Sequence, residues 1–436
     1  MKKINKLVFI FSFILNISML FAQETKKLTI DEAIEMGIKN SKNLKIDAAK
    51  ISQSTADLLE AKNRQLPDFK LSASYLRLGN ANINLEFLNQ NSGNSTPVPN
   101  SVLLGQANLS LPLYAGGKIK YGIESAKYLV EASKLKSENN RLLIAYNISE
   151  AYNNLFKAKQ GIKILEENLS VSEKRDATFL KLEKNGLLAR NDRLKANIQT
   201  SNIELQILEA KNNYAIANIN MNLLLGLDEN TILDIDENYI DESMELSFAD
   251  YYWNAALENR KDMQALDMQR KAAALGSKAA KAENLPTIAL TGGYIAADVP
   301  KILTVYNAVN IGVGINYDLG NLWKKNSSLM KSEAVENELS ATNELLSDQV
   351  KLDVNKAYQN VVFAKEKTLV FEKISTQSTE NYTVVKKKFD NGLATITELL
   401  EADAAKIISE INIINAKADA TLTYKKLLQS SGILIK

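Results

Sequence analysis

Carboxylate chemistry remains open to this chain, but the two most versatile catalytic side chains are absent from it. Its 436 residues include no histidine and no cysteine, which removes together the commonest general base, the commonest metal ligands and the best thiol nucleophile. Neither a glycine-rich phosphate loop nor a nucleophile elbow is present, so neither an enzyme nor a cofactor is expected. The charged groups that stand out lie beside two Asn-Gly pairs. Glu398 and Glu401, just after Asn391-Gly392-Leu393, are three apart and share one face of a helix. Asp192 holds the matching place after Asn185-Gly186-Leu187, flanked by Arg190 and Arg193. From the residues alone, the two glutamates are solvated carboxylates favoured by the positive end of a helix. Asp192 with either arginine is a surface ion pair, and Gly186 and Gly392 supply the positive φ on which a helix ends.

The two clusters match because the chain is written twice. Ala151-Tyr152 returns as Ala357-Tyr358, Asn185-Gly186-Leu187 as Asn391-Gly392-Leu393 and Ala210-Lys211 as Ala416-Lys417, each displaced by 206 positions, with Leu225-Gly226 echoed by Ser431-Gly432. Earlier landmarks, Asn40 with Asn259, Leu66-Pro67 with Leu285-Pro286 and Tyr75 with Tyr294, are displaced by 219. The first half thus carries 13 extra residues, assigned to a loop in the polar stretch from Gly79 to Ser101. An ungapped match implies a shared backbone, since helix register survives only where nothing is inserted.

Lys2, Lys3 and Lys6 precede an apolar run from Leu7 to Phe21 and then Ala22-Gln23, the pattern of a secretory signal peptide over 1–22. Its removal takes the formal charge from +2 to −1, leaving no basic field to recruit nucleic acid. Without cysteine there is neither a lipidated anchor nor a disulfide framework. Beyond the signal no window holds about 18 uninterrupted apolar residues, so any passage through a membrane falls to strands.

Each half runs through the same elements. A first helix spans roughly Ile30 to Arg64, opened by Thr29 with Glu32 three residues on as a capping box; its counterpart spans Phe248 to Asn284, with Ser247 at the N-cap. Both stop before Leu-Pro. The period then becomes two: Phe69, Leu71, Ala73 and Tyr75; Leu103 to Leu113; Ile288, Leu290 and Tyr294; Val309 to Tyr317. These are four strands of bilayer-crossing length, although hairpins on a soluble core would alternate in the same way. Tyr75, Tyr114, Tyr294, Tyr317 and Trp323 near the strand ends suit an aromatic girdle. The Asn- and Ser-rich stretch from Asn80 to Asn100 would be an extracellular loop. Proline-free helices follow over Lys118 to Lys184 and Lys325 to Asp390, each about 100 Å long at 1.5 Å per residue. They break at Asn-Gly and return over Ala189 to Leu225 and Ile396 to Leu428 as coiled-coil hairpins. The domains are therefore a first repeat over 23–227, an acidic connector over 228–245 running across a surface, and a second repeat over 246–436.

Four strands are too few to close a barrel and a bilayer tolerates no open edge, so several chains must pool theirs. A hairpin of that length has no private core and must also bury its apolar stripe on neighbours. At this point the chain resembles the TolC-like outer membrane factors of tripartite efflux and type I secretion systems. The resemblance rests on Leu28-Thr29-Ile30-Asp31-Glu32-Ala33, Leu66-Pro67, Leu111-Pro112-Leu113-Tyr114-Ala115-Gly116-Gly117-Lys118, the Asn-Gly turns and the duplication, and it covers essentially the whole chain after the signal.

The fold that this resemblance implies is mainly α with transmembrane β: an internally duplicated chain whose helical hairpins form an α-barrel and whose four strands join a trimeric, twelve-stranded β-barrel. The implied function is a passive outer-membrane exit duct for small molecules, reaching into the periplasm of a Gram-negative bacterium. Its implied partners are two further copies, outer-membrane lipid, a periplasmic adaptor and an inner-membrane transporter of RND or ABC type; type I protein secretion and a periplasmic coiled-coil adaptor are the competing readings. By the same resemblance Asn185, Gly186, Leu187, Asn391, Gly392 and Leu393 would dock the adaptor. Glu398 and Glu401 would form carboxylate rings at a periplasmic gate that bind polyvalent cations. Asp192 would help latch the gate, with Arg190 and Arg193 as candidate partners.

Overall fold

The computed structural model describes residues 25–79, 99–240, 244–300 and 302–435. The signal peptide expected at 1–22 and most of the loop expected from Asn80 lie outside them. In chain order the elements are β1 (Thr25–Leu28), α1 (Ile30–Asn40), α2 (Lys42–Asn63), β2 (Asp68–Arg77), β3 (Ser101–Tyr114), α3 (Lys118–Lys184), α4 (Arg190–Leu225), β4 (Ile232–Ile235), α5 (Ala249–Asn259), α6 (Lys261–Ala282), β5 (Thr287–Val299), β6 (Leu303–Asn316), α7 (Ser327–Asp390) and α8 (Ile396–Ser430). Two compact units draw on both repeats. Among the described residues, one draws on the chain up to 46, on 137–261 and on 346 onward, and the other on 47–136 and 262–345.

The second unit holds an antiparallel sheet in the order β2-β3-β5-β6. Its register sets Phe69 opposite Leu109, Leu109 opposite Gly292, Leu111 opposite Leu290 and Leu290 opposite Val313. Because side chains alternate along a strand, that register gathers Leu71, Tyr75, Leu103, Tyr294, Val309, Ile311 and Ile315 onto the same face. This face is bare, with Ile311 81% exposed. Most of the other face carries Ser72, Ser74, Gln106, Asn108, Thr291, Asn310 and the small Gly312 and Gly314, and its charges Asp68 and Lys70 pair at 2.8 Å. A soluble core would cover the apolar face, and nothing among the described residues does. Pro112, which has no N–H to give a ladder, coincides with a register shift between β3 and β5. The five aromatics expected to form a girdle are all exposed.

The first unit holds the turns of the two long hairpins, α3 with α4 and α7 with α8, which end where the Asn-Gly pairs predict. Leu165, Ile203, Ile207 and Ile407 pack in their seam. A second cluster joins Leu28, Ala33, Tyr152, Phe156, Met221, Leu233, Ile235 and Tyr239. Here β1 and β4 pair in parallel, Thr25 opposite Ile232 through Leu28 opposite Ile235. The Tyr152 hydroxyl ties them, donating to the Leu28 carbonyl at 2.9 Å and accepting from the Asp236 N–H at 3.0 Å. Burial pushes that hydroxyl's pKa up to about 12.

Three expectations change. Residues 228–245 are not merely a surface connector, since Leu233, Ile235 and Tyr239 are core residues. The helices expected over Ile30 to Arg64 and Phe248 to Asn284 each break, at Ser41 (ψ 123°) and Arg260 (ψ 115°). The breaks fall at duplicated positions, where the end of a return helix abuts: Asn40 Nδ2 donates to the Leu225 carbonyl at 2.7 Å, and Arg260 Nη1 to the Ser430 carbonyl at 3.3 Å. The N-cap of α5 is Phe248, not Ser247, and it makes no side-chain cap bond, whereas the Thr29–Glu32 capping box is formed.

Candidate functional site

Both hairpin turns are built by one backbone device. Gly186 (φ 74°) and Gly392 (φ 72°) take the left-handed conformation that a side chain disfavours. The next residue then bonds back five positions, Leu187 N–H to the Leu182 carbonyl at 2.9 Å and Leu393 N–H to the Lys388 carbonyl at 2.8 Å. This satisfies carbonyls that the helix ends would leave unpaired. Nothing lies within 4 Å of where a Cβ would stand on either glycine, so conformation alone demands them. Leu187 and Leu393 are left 74% and 77% exposed. Asn391 Nδ2 donates to the Lys387 carbonyl at 2.7 Å, and Asn185 is exposed.

The turns lie side by side because one apolar cluster sits behind them: Phe179, Ala196, Ile396 and Leu399, with Tyr382 and Phe389 packed on it. The Phe179 and Phe389 rings are 5.5 Å apart, and Lys195 Nζ reaches Thr397 Oγ1 at 3.4 Å across the pair.

Glu398 is the third residue of α8 and closes a capping box. Its Oε2 accepts from the Thr395 N–H at 2.6 Å and the Thr395 hydroxyl at 2.9 Å, while the Glu398 N–H donates to Thr395 Oγ1 at 3.3 Å. The Thr395 N–H first, and its hydroxyl second, hold the carboxyl below the usual carboxylate range. Oε1 takes no part in these bonds. Glu401, one turn further, is exposed. The pair thus offers an exposed carboxylate surface, and a cap role for Glu398 leaves one oxygen for a cation.

Within one chain the Asp192 carboxylate pairs with Lys195 on its own helix at 3.2 Å, and neither Arg190 nor Arg193 takes that place. Arg193 bonds Glu183 across the hairpin, and Arg190 is exposed. Asp192 and Lys195 are three positions apart, the spacing at which helix side chains meet, whereas the side chains at 190 and 193 face elsewhere.

Sequence reasoning missed a buried charge pair near the turns. Arg175 Nη1 meets Asp403 Oδ2 at 2.6 Å with both side chains under 10% exposed, and Arg175 Nη2 donates to Ser172 Oγ at 2.9 Å. This pair joins α3 of one hairpin to α8 of the other. The signal was a seam in which Leu165, Asn168, Ser172, Arg175 and Phe179 follow at three- and four-residue spacing, polar residues standing where apolar ones should.

Among the described residues no group of three or more Asp or Glu could hold a metal ion, and no helix is long and apolar enough to cross a membrane. The fold recurs in known outer membrane proteins. The outer membrane protein VceC from Vibrio cholerae is similar at 17% identity and a TM-score of 0.76, over 92% of this chain and 96% of that one. The CmeC outer membrane channel of Campylobacter jejuni is similar at 18% and 0.77, over 93% and 86%. The MtrE outer membrane channel of Neisseria gonorrhoeae, in its open state, gives 17% and 0.72, over 92% and 88%. Among curated proteins nothing matches the chain. The sequence model of the outer membrane efflux proteins matches twice, at residues 33–227 and 253–432, one match for each repeat. Duplicated hairpins, a sheet bare on its apolar face and this double match agree, and the chain belongs to the outer membrane efflux protein family.

Proposed function

We propose that three copies of this chain form one exit duct, twelve strands closed into an outer-membrane barrel and continued by helical hairpins through the periplasm. The observation that carries this reading is the four-stranded sheet, apolar on one face and largely polar on the other. The outer edges of β2 and β6 meet no further strand among the described residues. A bilayer leaves no strand edge unpaired, and four strands cannot enclose a lumen. Passage is passive, powered by an inner-membrane transporter of RND or ABC type through a periplasmic adaptor that meets Asn185, Gly186, Leu187, Asn391, Gly392 and Leu393. Family membership supports efflux, and small molecules are the cargo that this reading assigns.

Three-fold repetition turns Glu398 and Glu401 into rings of carboxylates at the periplasmic mouth, where like charges gathered at a constriction favour polyvalent cations. The test is single-channel conductance of the purified protein in a planar bilayer with a trivalent cation added on the periplasmic side. Block is expected in the wild type and lost in Glu398→Gln with Glu401→Gln, a pair that keeps a capping side chain at 398. Equal block in both proteins would refute the gate, and no conductance from inserted protein would refute the duct.

A further inference from the structure

We propose that the first three turns of α3 hold the headgroup of one aminophospholipid, a glycerophospholipid with an ethanolamine end, from the leaflet that faces the periplasm. The proposal rests on the duct reading above, which puts the bare face of the sheet in the bilayer. It adds a lipid site that begins where that face ends.

The turn from strand to helix sets the geometry. Register places Leu111 opposite Leu290 and Tyr114 opposite Ile288, so the shift beside Pro112 leaves one extra residue, Leu113, in β3. Leu113 and Tyr114 are exposed at the end of the apolar face nearest the helices. Gly116 (φ 61°) and Gly117 (φ 89°) then take left-handed backbone and turn the chain into α3. A Cβ on Gly116 would stand 2.8 Å from the Ala282 carbonyl, so the turn is fixed against the end of α6. Directly beyond it, Ile119, Lys120, Ile123, Glu124 and Lys127 follow at helical spacing. With Leu113 and Tyr114 they line an open groove of about 420 Å³. Its apolar wall continues the bilayer-facing side of β3 and suits an acyl chain.

The charges choose the headgroup. Lys120 and Lys127 lie seven positions apart, about 10 Å along the helix, and lysine stems run along apolar surface to bring their ammonium groups together. Both can meet one phosphodiester, with the strength of hydrogen bonds to an ionised group. Neighbouring lysines are already engaged, Lys118 by Glu283 at 2.5 Å and Lys70 by Asp68 at 2.8 Å. Among the described residues Lys120, Glu124 and Lys127 form no ion pair. Glu124 lies between the two lysines. A lipid whose only charge is its phosphate sets that carboxylate against a like charge, whereas an ethanolamine headgroup brings an ammonium group to it. The second repeat does not keep the set: displaced by 206, Glu124 becomes Met330 and Lys127 becomes Glu333, which meets Lys281 at 3.9 Å. Each chain therefore has one such site.

The test is native mass spectrometry of the assembled, delipidated protein in detergent, mixed with dioleoyl phosphatidylethanolamine or, separately, dioleoyl phosphatidylglycerol. Phosphatidylethanolamine is expected to be retained in preference. Lys120→Gln with Lys127→Gln should cut its retention about tenfold, the scale of one lost hydrogen bond to a charged group. Lys136→Gln removes the same charge nine positions beyond Lys127 and should change nothing. Glu124→Gln should abolish the preference for ethanolamine over glycerol. Equal retention by the wild type and the double variant, an equal loss in Lys136→Gln, or a wild-type preference for phosphatidylglycerol would each overturn the proposal. Conductance of the same preparation in a planar bilayer separates the two readings. Protein that conducts but retains no phosphatidylethanolamine overturns the lipid site alone, and failure of both overturns the duct too.

Discussion

The two hairpin turns share a backbone and part company immediately after it. Gly186 and Gly392 differ by only 2° in φ (74° against 72°), and the same bond back closes each turn. Yet α8 opens with Thr395 and a complete capping box, whereas α4 opens at Ala189 with no side-chain cap, and its acidic third residue, Asp192, turns to Lys195. Higher up, Arg175 of the first hairpin and Asp403 of the second form a buried ion pair, whereas the residues at the duplicated positions, Asn381 and Asn197, are asparagines. Duplication has kept what the backbone requires and released the side chains, so the difference marks what each copy of the motif was freed to do.

The sharpest break in this comparison is expected at Arg175. Arg175→Leu strands the Asp403 carboxylate in a dry site, and loss of one partner of a buried pair costs about 3–5 kcal/mol. The counterpart Asn381→Leu removes a polar group exposed in one chain and is expected to change stability by less than about 0.5 kcal/mol. Thermal melting of the two variants checks this. Arg175→Leu with Asp403→Leu should recover most of the loss, and equal melting of both single variants would mean that the two hairpins are not chemically distinct.

A smaller effect tests what the turns share. Gly186→Val and Gly392→Val each force a branched side chain into left-handed backbone, at about 1–2 kcal/mol, with no steric neighbour to add to it. Melting temperatures should fall by the same amount in the two variants. A marked inequality would show that the turns have diverged in backbone as well.

Legibility in the sequence followed the range of the interaction. The ends of α3 and α7 were readable because a 3.6-residue period runs into Asn-Gly, and the four strands because alternation is local. The pairing of β1 with β4 was not, since four residues near Thr25 find partners about two hundred positions away in an acidic stretch. The breaks at Ser41 and Arg260 carry neither proline nor glycine and arise from the ends of α4 and α8 pressing on them. Near the turns, the left-handed Gly186 and Gly392 were readable from the Asn-Gly pairs, and the shared helix of Glu398 and Glu401 from their spacing. The partner of Asp192 was not, because flanking arginines were weighed by sequence distance when the helix places residue 195, not 193, on the same side. Arg175 and Asp403 stayed hidden because a charge in an apolar seam names no partner until the facing helix is known.

The finest test of the comparison is the cap itself. Glu398 accepts from Thr395, and this holds its carboxyl below the usual range. A folded-state pKa beneath the unfolded one means that the ionised group's contribution is whole above the unfolded value and is lost as pH falls through the folded value. Glu398→Gln can still cap but has nothing to titrate. The melting temperature of the wild type is therefore expected to exceed that of Glu398→Gln at neutral pH. The gap should close as the medium is acidified below about pH 4, the ordinary carboxylate value. A gap that persists unchanged into acid would mean that the charge contributes nothing to the cap. The carboxylate at 398 would then be kept only for what reaches it from outside, the cation of the proposed gate.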